Sequence, residues 1–311
     1  MLEIYQKTIV NSISFEGIGL HSGKSSKITI FPGQADQGII FKRIDLNKNN
    51  LVLAKYESVT SAKLCTTLEN EYGVKVSTVE HLLAALYISE IDNAIIEIDN
   101  EEIPIMDGSA KDFLEILKDS KIKTLSKKRK YLKIINKVEL LDGERAISIE
   151  PCEASLEVDF QLNYKNKIIG KQRNTVNFQT DNLDDVSKSR TFCLFEDIEK
   201  IKKVGLAKGG SLENAIVVDQ NKVLNDGGLR NEKEFVNHKI LDLAGDFVLS
   251  GFRVLGKIIC YQGGHELTNM FLRKLLNSKS AFTRLELEEI TISKKIRADQ
   301  PDQPAKLAVN A

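Results

Sequence analysis

The residues most able to do chemistry in this chain are its histidines, because only four occur in 311 residues. His238 and Asp242 stand four positions apart. Residues i and i+4 lie on one face of a helix, so an imidazole and a carboxylate at these positions could reach a common point. Neutral imidazole and carboxylate are ligand types that bind zinc. The alternative is an ordinary pair on a solvated helix face, which stabilises a helix by only about 0.2–0.5 kcal/mol.

The neighbours of His238 bear on that choice. Apolar residues flank it and predict a mostly buried helix, and Asp246 lies one turn beyond Asp242 on the side that faces His238. A histidine and two acids in a buried helix are costly unless they are paired or bound to a metal. The apolar residues in question are Ile240, Leu241, Leu243, Ala244 and Phe247.

Two further histidines stand in short motifs. His81 follows Glu80 directly, and His265 follows two glycines that would let a ligand approach the backbone closely. Glu80 has an alternative role, since Ser77 and Glu80 have the spacing of a capping box at a helix start. His265 could equally be a loop histidine that is hydrogen-bonded to backbone.

Two familiar signatures are absent. The glycine-rich segment 17–24 imitates a phosphate-binding loop, but five residues separate Gly17 from Gly23 and a strand-like segment follows. We therefore reject a nucleotide triphosphatase. The HExxH pattern of many zinc peptidases does not occur either.

The first half of the chain reads as strands followed by helices. Its predicted elements are strands at 8–14, 26–31 and 38–43, a helix after Ser77, a strand at 94–99 and a short helix from Ser109. The lysine- and serine-rich segment 118–129 is the best candidate for a linker. We predict a first domain over residues 1–120 and a linker over 121–130.

The second half repeats this order. Its predicted elements are strands at 131–141, 146–151 and 156–162, a helix at 232–249 and a strand at 254–261. Asn231 and Glu234 have capping-box spacing at the start of that helix. We predict a second domain over 131–290 with an insert at 196–218. The polar tail, 291–311, is predicted to be disordered.

Composition is that of a globular protein with 42% hydrophobic residues, and 44 basic residues balance 44 acidic ones. This balance gives no sign of a nucleic-acid partner. The start of the chain does not resemble a signal peptide, and no apolar run is long enough to span a membrane. Four scattered cysteines without a CxxC pair favour a reducing compartment. We expect a cytoplasmic protein.

Several motifs, taken together and in order, closely resemble the UDP-3-O-acyl-N-acetylglucosamine deacetylases, zinc amidases that perform the committed step of lipid A synthesis in Gram-negative bacteria. The resemblance covers roughly residues 5 to 285. The motifs are GIGLHSGK (17–24), STVEHL (77–82), IPIMDGSA (103–110), SRTF (189–192), GGS (209–211), HKILD (238–242) and GGH (263–265).

The resemblance implies a role for each residue of the reaction centre. His81, His238 and Asp242 would hold Zn²⁺ and leave a fourth position for water. The other four residues would be catalytic: Glu80 as the general base, His265 as the acid that protonates the departing amine, Asp246 as the partner of that imidazolium, and Thr191 as a donor to the oxyanion.

The substrate implied by the resemblance is a UDP-linked amino sugar that carries a fatty acyl chain. Its acyl chain would lie in a hydrophobic passage formed by the insert. The residues implied for this passage are Phe192, Ile198, Ala207, Gly210, Ser211 and Val217. Lys239, Arg145 and Tyr164 match positions that bind the UDP moiety.

This sequence departs from the family pattern at two positions. Cys193 stands where the family has glycine, at the mouth of the passage, and Gln262 stands where it has a basic residue beside the diphosphate.

The implied fold is α+β, with two similar domains that are each a two-layer sandwich of sheet and helices and that enclose the active site between their helical layers. We expect a monomer. Two alternatives stay open: a non-catalytic glycolipid or nucleotide-sugar binding protein of this fold, and a zinc amidase that acts on another acylated amino sugar.

Overall fold

A computed structural model describes residues 2–152 and 155–288. These residues form a mixed α+β fold of six α-helices, one 3₁₀ turn (Tyr56–Ser58) and twenty strands, which confirms the predicted fold class. None of the helices described is both long and apolar enough to cross a membrane. The predicted disorder of the tail concerns residues 291–311, which lie outside the described ranges.

The first half of the chain contains ten strands and two helices. They are β1 (Tyr5–Ile9), β2 (Ile13–Ile18), β3 (Ser25–Pro32), β4 (Ile39–Arg43), β5 (Leu51–Leu53), β6 (Val59–Ser61), β7 (Thr67–Glu69), β8 (Lys75–Ser77), α1 (Glu80–Ile88), β9 (Ala94–Ile98), α2 (Lys111–Asp119) and β10 (Ile122–Lys128). Five of these strands form a sheet with the order β2-β3-β9-β4-β5. Ile28 and Ile30 of β3 are fully buried, as expected for alternate residues that face a core.

The second half contributes the remaining elements. They are β11 (Tyr131–Ile134), β12 (Val138–Asp142), β13 (Arg145–Glu150), β14 (Leu156–Asn163), β15 (Lys171–Asn177), α3 (Asp184–Ser187), β16 (Phe192–Leu194), α4 (Phe195–Lys203), β17 (Ile216–Asp219), β18 (Lys222–Val223), α5 (Glu234–Val248), β19 (Arg253–Tyr261), α6 (His265–Asn277) and β20 (Phe282–Leu285). The strand β19 is central to their sheet, since it pairs with β11, β13 and β14.

Two small sheets support the loops around the helices. The hairpin strands β6, β7 and β8 form a three-stranded sheet directly before α1. The strands β16, β17 and β18 form another, at the two ends of the segment 196–218 that was predicted as an insert. Most of helix α4 lies in this insert, and Gly205 follows the helix with a φ of 84°.

The segment 118–129, the candidate linker, contains a strand, Ile122–Lys128, that pairs antiparallel with β1. The single strand predicted at 8–14 is two strands, since Val10 and Asn11 donate instead to backbone carbonyls at the end of α2. Strand β10 therefore lies beside β1, the first strand of the chain.

Both predicted capping boxes are also wrong. Helix α1 begins at Glu80 with Val79 as its N-cap, while Ser77 belongs to strand β8. Helix α5 has Lys233 as its N-cap and no side-chain capping bond. In each case the glutamate makes a tertiary contact instead: Glu80 accepts from Thr66, and Glu234 from Arg190.

Helices α1 and α5, one from each half of the chain, pack directly on each other. Their backbones approach most closely at Gly245, where an added β-carbon would overlap the carbonyl oxygen of Glu80. Only glycine permits such an approach. This contact sets the distance between the side chains that the two helices present to each other.

The packing at Gly245 predicts the effect of Gly245→Ala. Alanine in a helix interior normally stabilises a protein by roughly 1 kcal/mol over glycine. Here we expect the opposite sign, because the methyl group must push α1 away from α5. Thermal unfolding should show a lower Tm than for the parent protein. A rise in Tm, as helix propensity alone predicts, would contradict the packing described.

Candidate active site

Two helices supply most of the candidate site residues. The backbone turns sharply at Thr78, with a φ of 57°, and α1 then begins with Glu80 and His81 in its first turn. Helix α5 presents His238 and Asp242 from the facing surface. All four of these side chains are buried. Their burial makes the placement costly unless each polar atom is matched.

His81, His238 and Asp242 converge on one point. The Nε2 atoms of the two imidazoles each lie 3.3 Å from Oδ1 of Asp242. The three candidate ligand atoms all lie within 4.8 Å of one another. Asp242 Oδ1 is buried and has no hydrogen-bond partner within the part of the chain that the structure describes. Two imidazole nitrogens and this unsatisfied oxygen therefore form a possible metal site.

The protonation of His238 argues for a cation at this point. Its Nδ1 lies 3.0 Å from the carbonyl oxygen of Ser189, which can only accept, so Nδ1 carries the proton. Burial lowers the pKa of His238 to about 3, so the ring is neutral near pH 7. The lone pair of Nε2 then faces a carboxylate oxygen at 3.3 Å. A bound cation converts this repulsion into two ligand bonds.

Lys239 balances the other oxygen of the aspartate. Its Nζ lies 2.8 Å from Asp242 Oδ2. Burial opposes ionisation of Asp242, but the positive charges of Lys239 and His265 hold the pKa of its carboxyl well below the usual value. The carboxylate is therefore available as a metal ligand.

His265 is the first residue of α6 and completes the site. Its Nδ1 lies 2.8 Å from Asp246 Oδ2, and its Nε2 lies 3.6 Å from Glu80 Oε1. Burial alone would lower the pKa of His265, but the acids Asp246, Glu80 and Asp242 outweigh it and raise the pKa to about 10. Burial raises the pKa of Glu80, although the neighbouring imidazole opposes that shift. A carboxyl group and an imidazolium thus face each other beside the possible metal site.

The chain is similar to known proteins over most of its length. The family model of the UDP-3-O-acyl N-acetylglycosamine deacetylases (LpxC) matches residues 6–277. The chain belongs to this family. It is 41% identical to the UDP-3-O-acyl-N-acetylglucosamine deacetylase of Geotalea uraniireducens over 91% of this chain and 92% of that protein. It is 40% identical to that of Shewanella frigidimarina over 92% of this chain and 94% of the relative. The resemblance seen in the motifs is confirmed.

Thr191, predicted to act on the oxyanion, follows a firmly held segment. Arg190 makes a buried ion pair with Glu234 at 2.8 Å, and Ser189 accepts the hydrogen bond of His238. The Thr191 N–H donates to the carbonyl of Gly108 at 2.8 Å. The segment is thereby fixed beside α5, with Thr191 two residues from the contact to His238.

Two of the predicted substrate contacts, Tyr164 and Lys239, lie beside the ring of a third, Phe192. The Phe192 ring lies 5.8 Å from that of Tyr164 and 6.2 Å from that of His238, and Lys239 Nζ lies 5.5 Å from its centroid. Phe192 also packs edge-on against Phe235. This cluster connects the possible metal site to the insert.

The insert contacts the glycine-rich segment 17–24 of the first half. Lys208 and Gly209 donate backbone hydrogen bonds to His21 and Leu20. The predicted passage residues are distributed over these elements: Ile198 on α4, Val217 on β17, and Ala207, Gly210 and Ser211 in the segment between them. Ala207 has a φ of 53°, a left-handed conformation uncommon for alanine.

Arg145, Gln262 and Cys193, the other positions singled out in the sequence, do not belong to the possible metal site. Arg145 pairs with Asp142, and its guanidinium lies 3.5 Å from Glu266. The Gln262 side chain bonds both backbone groups of Asn163, so it holds strand ends together where a basic residue was expected. Cys193 is half-buried in β16, and nothing in the structure explains why it replaces glycine.

Sequence reasoning missed two buried residues at this site. Thr66 bonds both Glu80 and Asp246. Glu102 accepts from the backbone of His21 and Ser22 and so shapes the glycine-rich segment. Neither residue stands in a pattern that sets it apart, since their roles depend on contacts far along the chain.

The geometry divides the four histidines into two pairs. His81→Ala and His238→Ala should each lose most of the bound divalent metal, because each removes one of three ligands. His21→Ala and His265→Ala should retain it, and they serve as matched controls. Elemental analysis of the four purified variants measures the difference. Equal metal content in all four would contradict the ligand set.

Proposed function

We propose that this protein hydrolyses the N-acetyl group of a UDP-3-O-acyl-N-acetylglucosamine, releasing acetate and the free amine. By the family resemblance, this is the committed step of lipid A synthesis. The observation that carries the proposal is the acid–base pair of Glu80 and His265, 3.6 Å apart, beside three convergent metal ligands. A non-catalytic binding protein would need none of these groups together, and so that alternative is not favoured.

The metal we propose is zinc. Two imidazoles and one carboxylate with a further open position are typical of catalytic zinc sites. The unsatisfied Oδ1 of Asp242 and the lone pair of His238 fit such an ion. When bound, zinc polarises the substrate carbonyl and lowers the pKa of a coordinated water.

Glu80 acts as the general base in this proposal. One of its oxygens accepts from the Thr66 N–H at 3.0 Å, which fixes the carboxylate, and the other faces His265. Burial that raises its pKa makes it a stronger base than an exposed glutamate. Glu80 takes one proton from water as the oxygen of that water bonds to the acetyl carbon.

His265 acts as the general acid. Asp246 holds its Nδ1 at 2.8 Å, so the proton on Nε2 is free to be donated. As the bond between the acetyl carbon and nitrogen breaks, His265 protonates the nitrogen, which leaves as an amine. We assign Thr191 the role of donor to the oxyanion that forms between these steps, a contribution worth about 2.7–4 kcal/mol in a comparable site.

Substrate recognition is assigned to the insert and the aromatic cluster. Burial of an acyl chain contributes about 0.8 kcal/mol per methylene, so a passage formed by the insert would favour acylated over bare sugar. The proposed lining consists of Phe192, Ile198, Ala207, Gly210, Ser211 and Val217. Lys239, Arg145 and Tyr164 are proposed to bind the UDP moiety.

Organisation and location are part of the same proposal. We infer two domains, 1–120 and 131–290, since strands of the two larger sheets each come from one half of the chain. All four cysteines are unpaired, which is in keeping with a cytoplasmic protein. We propose that it acts as a monomer without a nucleic-acid partner.

Glu80→Gln tests the catalytic assignment. Glutamine keeps an acceptor for Thr66 but cannot take a proton, so kcat should fall by ~10²–10⁴-fold with metal content and Tm retained. The measurement is acetate release from the UDP-linked acylated sugar. Near-normal turnover would exclude Glu80 as the base, and no acetate release by the parent protein would exclude the proposed reaction.

Ile198→Trp tests the passage. Ile198 is half-buried on α4, a helix without fully buried residues, so the larger ring should not unfold the protein. We expect KM to rise most for the longest acyl chains, with Ile198→Val as the conservative control. The ratio of kcat/KM to that of the parent, measured across a series of acyl lengths, should decline with length. A ratio that is constant across the series would contradict the passage.

A further inference from the structure

Thr66 is a buried residue that bonds both Glu80, the proposed general base, and Asp246, the partner of the proposed general acid. Its exposed fraction is 2%, and it directly precedes β7. We infer that Thr66 is a positioning residue that orients the general base and the partner of the general acid together. This inference rests on the proposed function of Glu80 and His265.

Four contacts connect Thr66 to the pair in a closed ring. The Thr66 N–H donates to Glu80 Oε2 at 3.0 Å, and its hydroxyl donates to Asp246 Oδ1 at 2.7 Å. Asp246 Oδ2 lies 2.8 Å from His265 Nδ1. His265 Nε2 lies 3.6 Å from Glu80 Oε1 and completes the ring. Each carboxylate thus uses one oxygen for Thr66 and the other for the imidazole.

The backbone around Thr66 is held independently of the site. Its neighbour Thr67 pairs with Ser77 in the hairpin of β7 and β8, and its own carbonyl accepts from the Val79 N–H at 3.4 Å. The backbone therefore holds Thr66 in a fixed position, from which it donates hydrogen bonds to the carboxylates of Glu80 and Asp246. Thr66 belongs to the first half of the chain, whereas Asp246 and His265 belong to the second.

The hydrogen bond between the Thr66 hydroxyl and Asp246 has one possible donor. A carboxylate at Asp246 can only accept, so Thr66 Oγ1 must donate to it. This bond fixes the rotation of the Asp246 carboxylate and keeps Oδ2 aimed at the imidazole. Without it, the aspartate and His265 lose orientation, and protonation of the departing nitrogen becomes slower. Because Thr66 is enclosed, its loss should leave substrate binding intact.

Substitutions at Thr66 separate the hydroxyl from the volume of the side chain. Thr66→Val keeps the shape and removes the hydroxyl, and Thr66→Ala and Thr66→Ser differ from each other only by the hydroxyl. We expect kcat to fall by ~10–100-fold in the valine and alanine variants, with KM and metal content close to the parent. Serine should restore most of kcat. Equal kcat for alanine and serine would overturn the inference, even if valine prevents folding.

A double-mutant cycle tests whether the loss of kcat in the Thr66 variants depends on Asp246. In an Asp246→Asn background, Thr66→Val should change kcat by less than about twofold, because the pair acts as a unit. A full additional loss would overturn the inference. Thr8→Val is a matched control, since Thr8 is an equally buried threonine whose hydroxyl bonds Asn93 and Gly33, which do not belong to the ring. It should lower Tm without lowering kcat.

A measurement without substrate keeps this inference separate from the proposed reaction. The Nδ1 proton of His265 should give a hydrogen-bonded, downfield signal in NMR spectra of the metal-loaded parent and of Thr66→Ser. The signal should broaden or move in Thr66→Val. An unchanged signal would overturn the inference, whereas failure of the parent to release acetate would overturn only the proposed function.

Discussion

The close approach of α1 to α5 at Gly245 is the constraint on which the site depends. It brings Glu80 and His81 from one half of the chain against His238 and Asp242 from the other. Neither helix alone holds enough ligands for a metal. The candidate site therefore depends on the packing between the two halves of the chain. A small change in that packing should displace all of its side chains together.

The charges at this contact are compensated in a definite pattern. Asp242 has Lys239 on one oxygen and the two metal-facing imidazoles on the other, while Asp246 is shared between Thr66 and His265. Burying this many ionisable groups costs several kcal/mol per ion unless each is matched. Because these partners compensate the charges, a buried site can hold a neutral His238 and a protonated His265 close to each other.

Part of the possible metal site could be predicted from local spacing, because His238 and Asp242 are four apart on one helix. His81 comes from the other half of the chain, and only the family resemblance of its motif placed it in the same set. The roles of Glu80 and Glu234 at helix starts could not be predicted correctly. Capping spacing is a local signal, whereas their partners, Thr66 and Arg190, lie elsewhere in the chain or the fold.

The central claim is that a cation joins His81, His238 and Asp242. The most direct measurement is anomalous X-ray scattering from crystals of the protein, with data collected on both sides of the zinc edge. We predict one strong peak at bonding distance, about 2.0–2.2 Å, from both Nε2 atoms and from Asp242 Oδ1. Absence of that peak in zinc-loaded crystals, or a peak bound to other residues, would contradict the account.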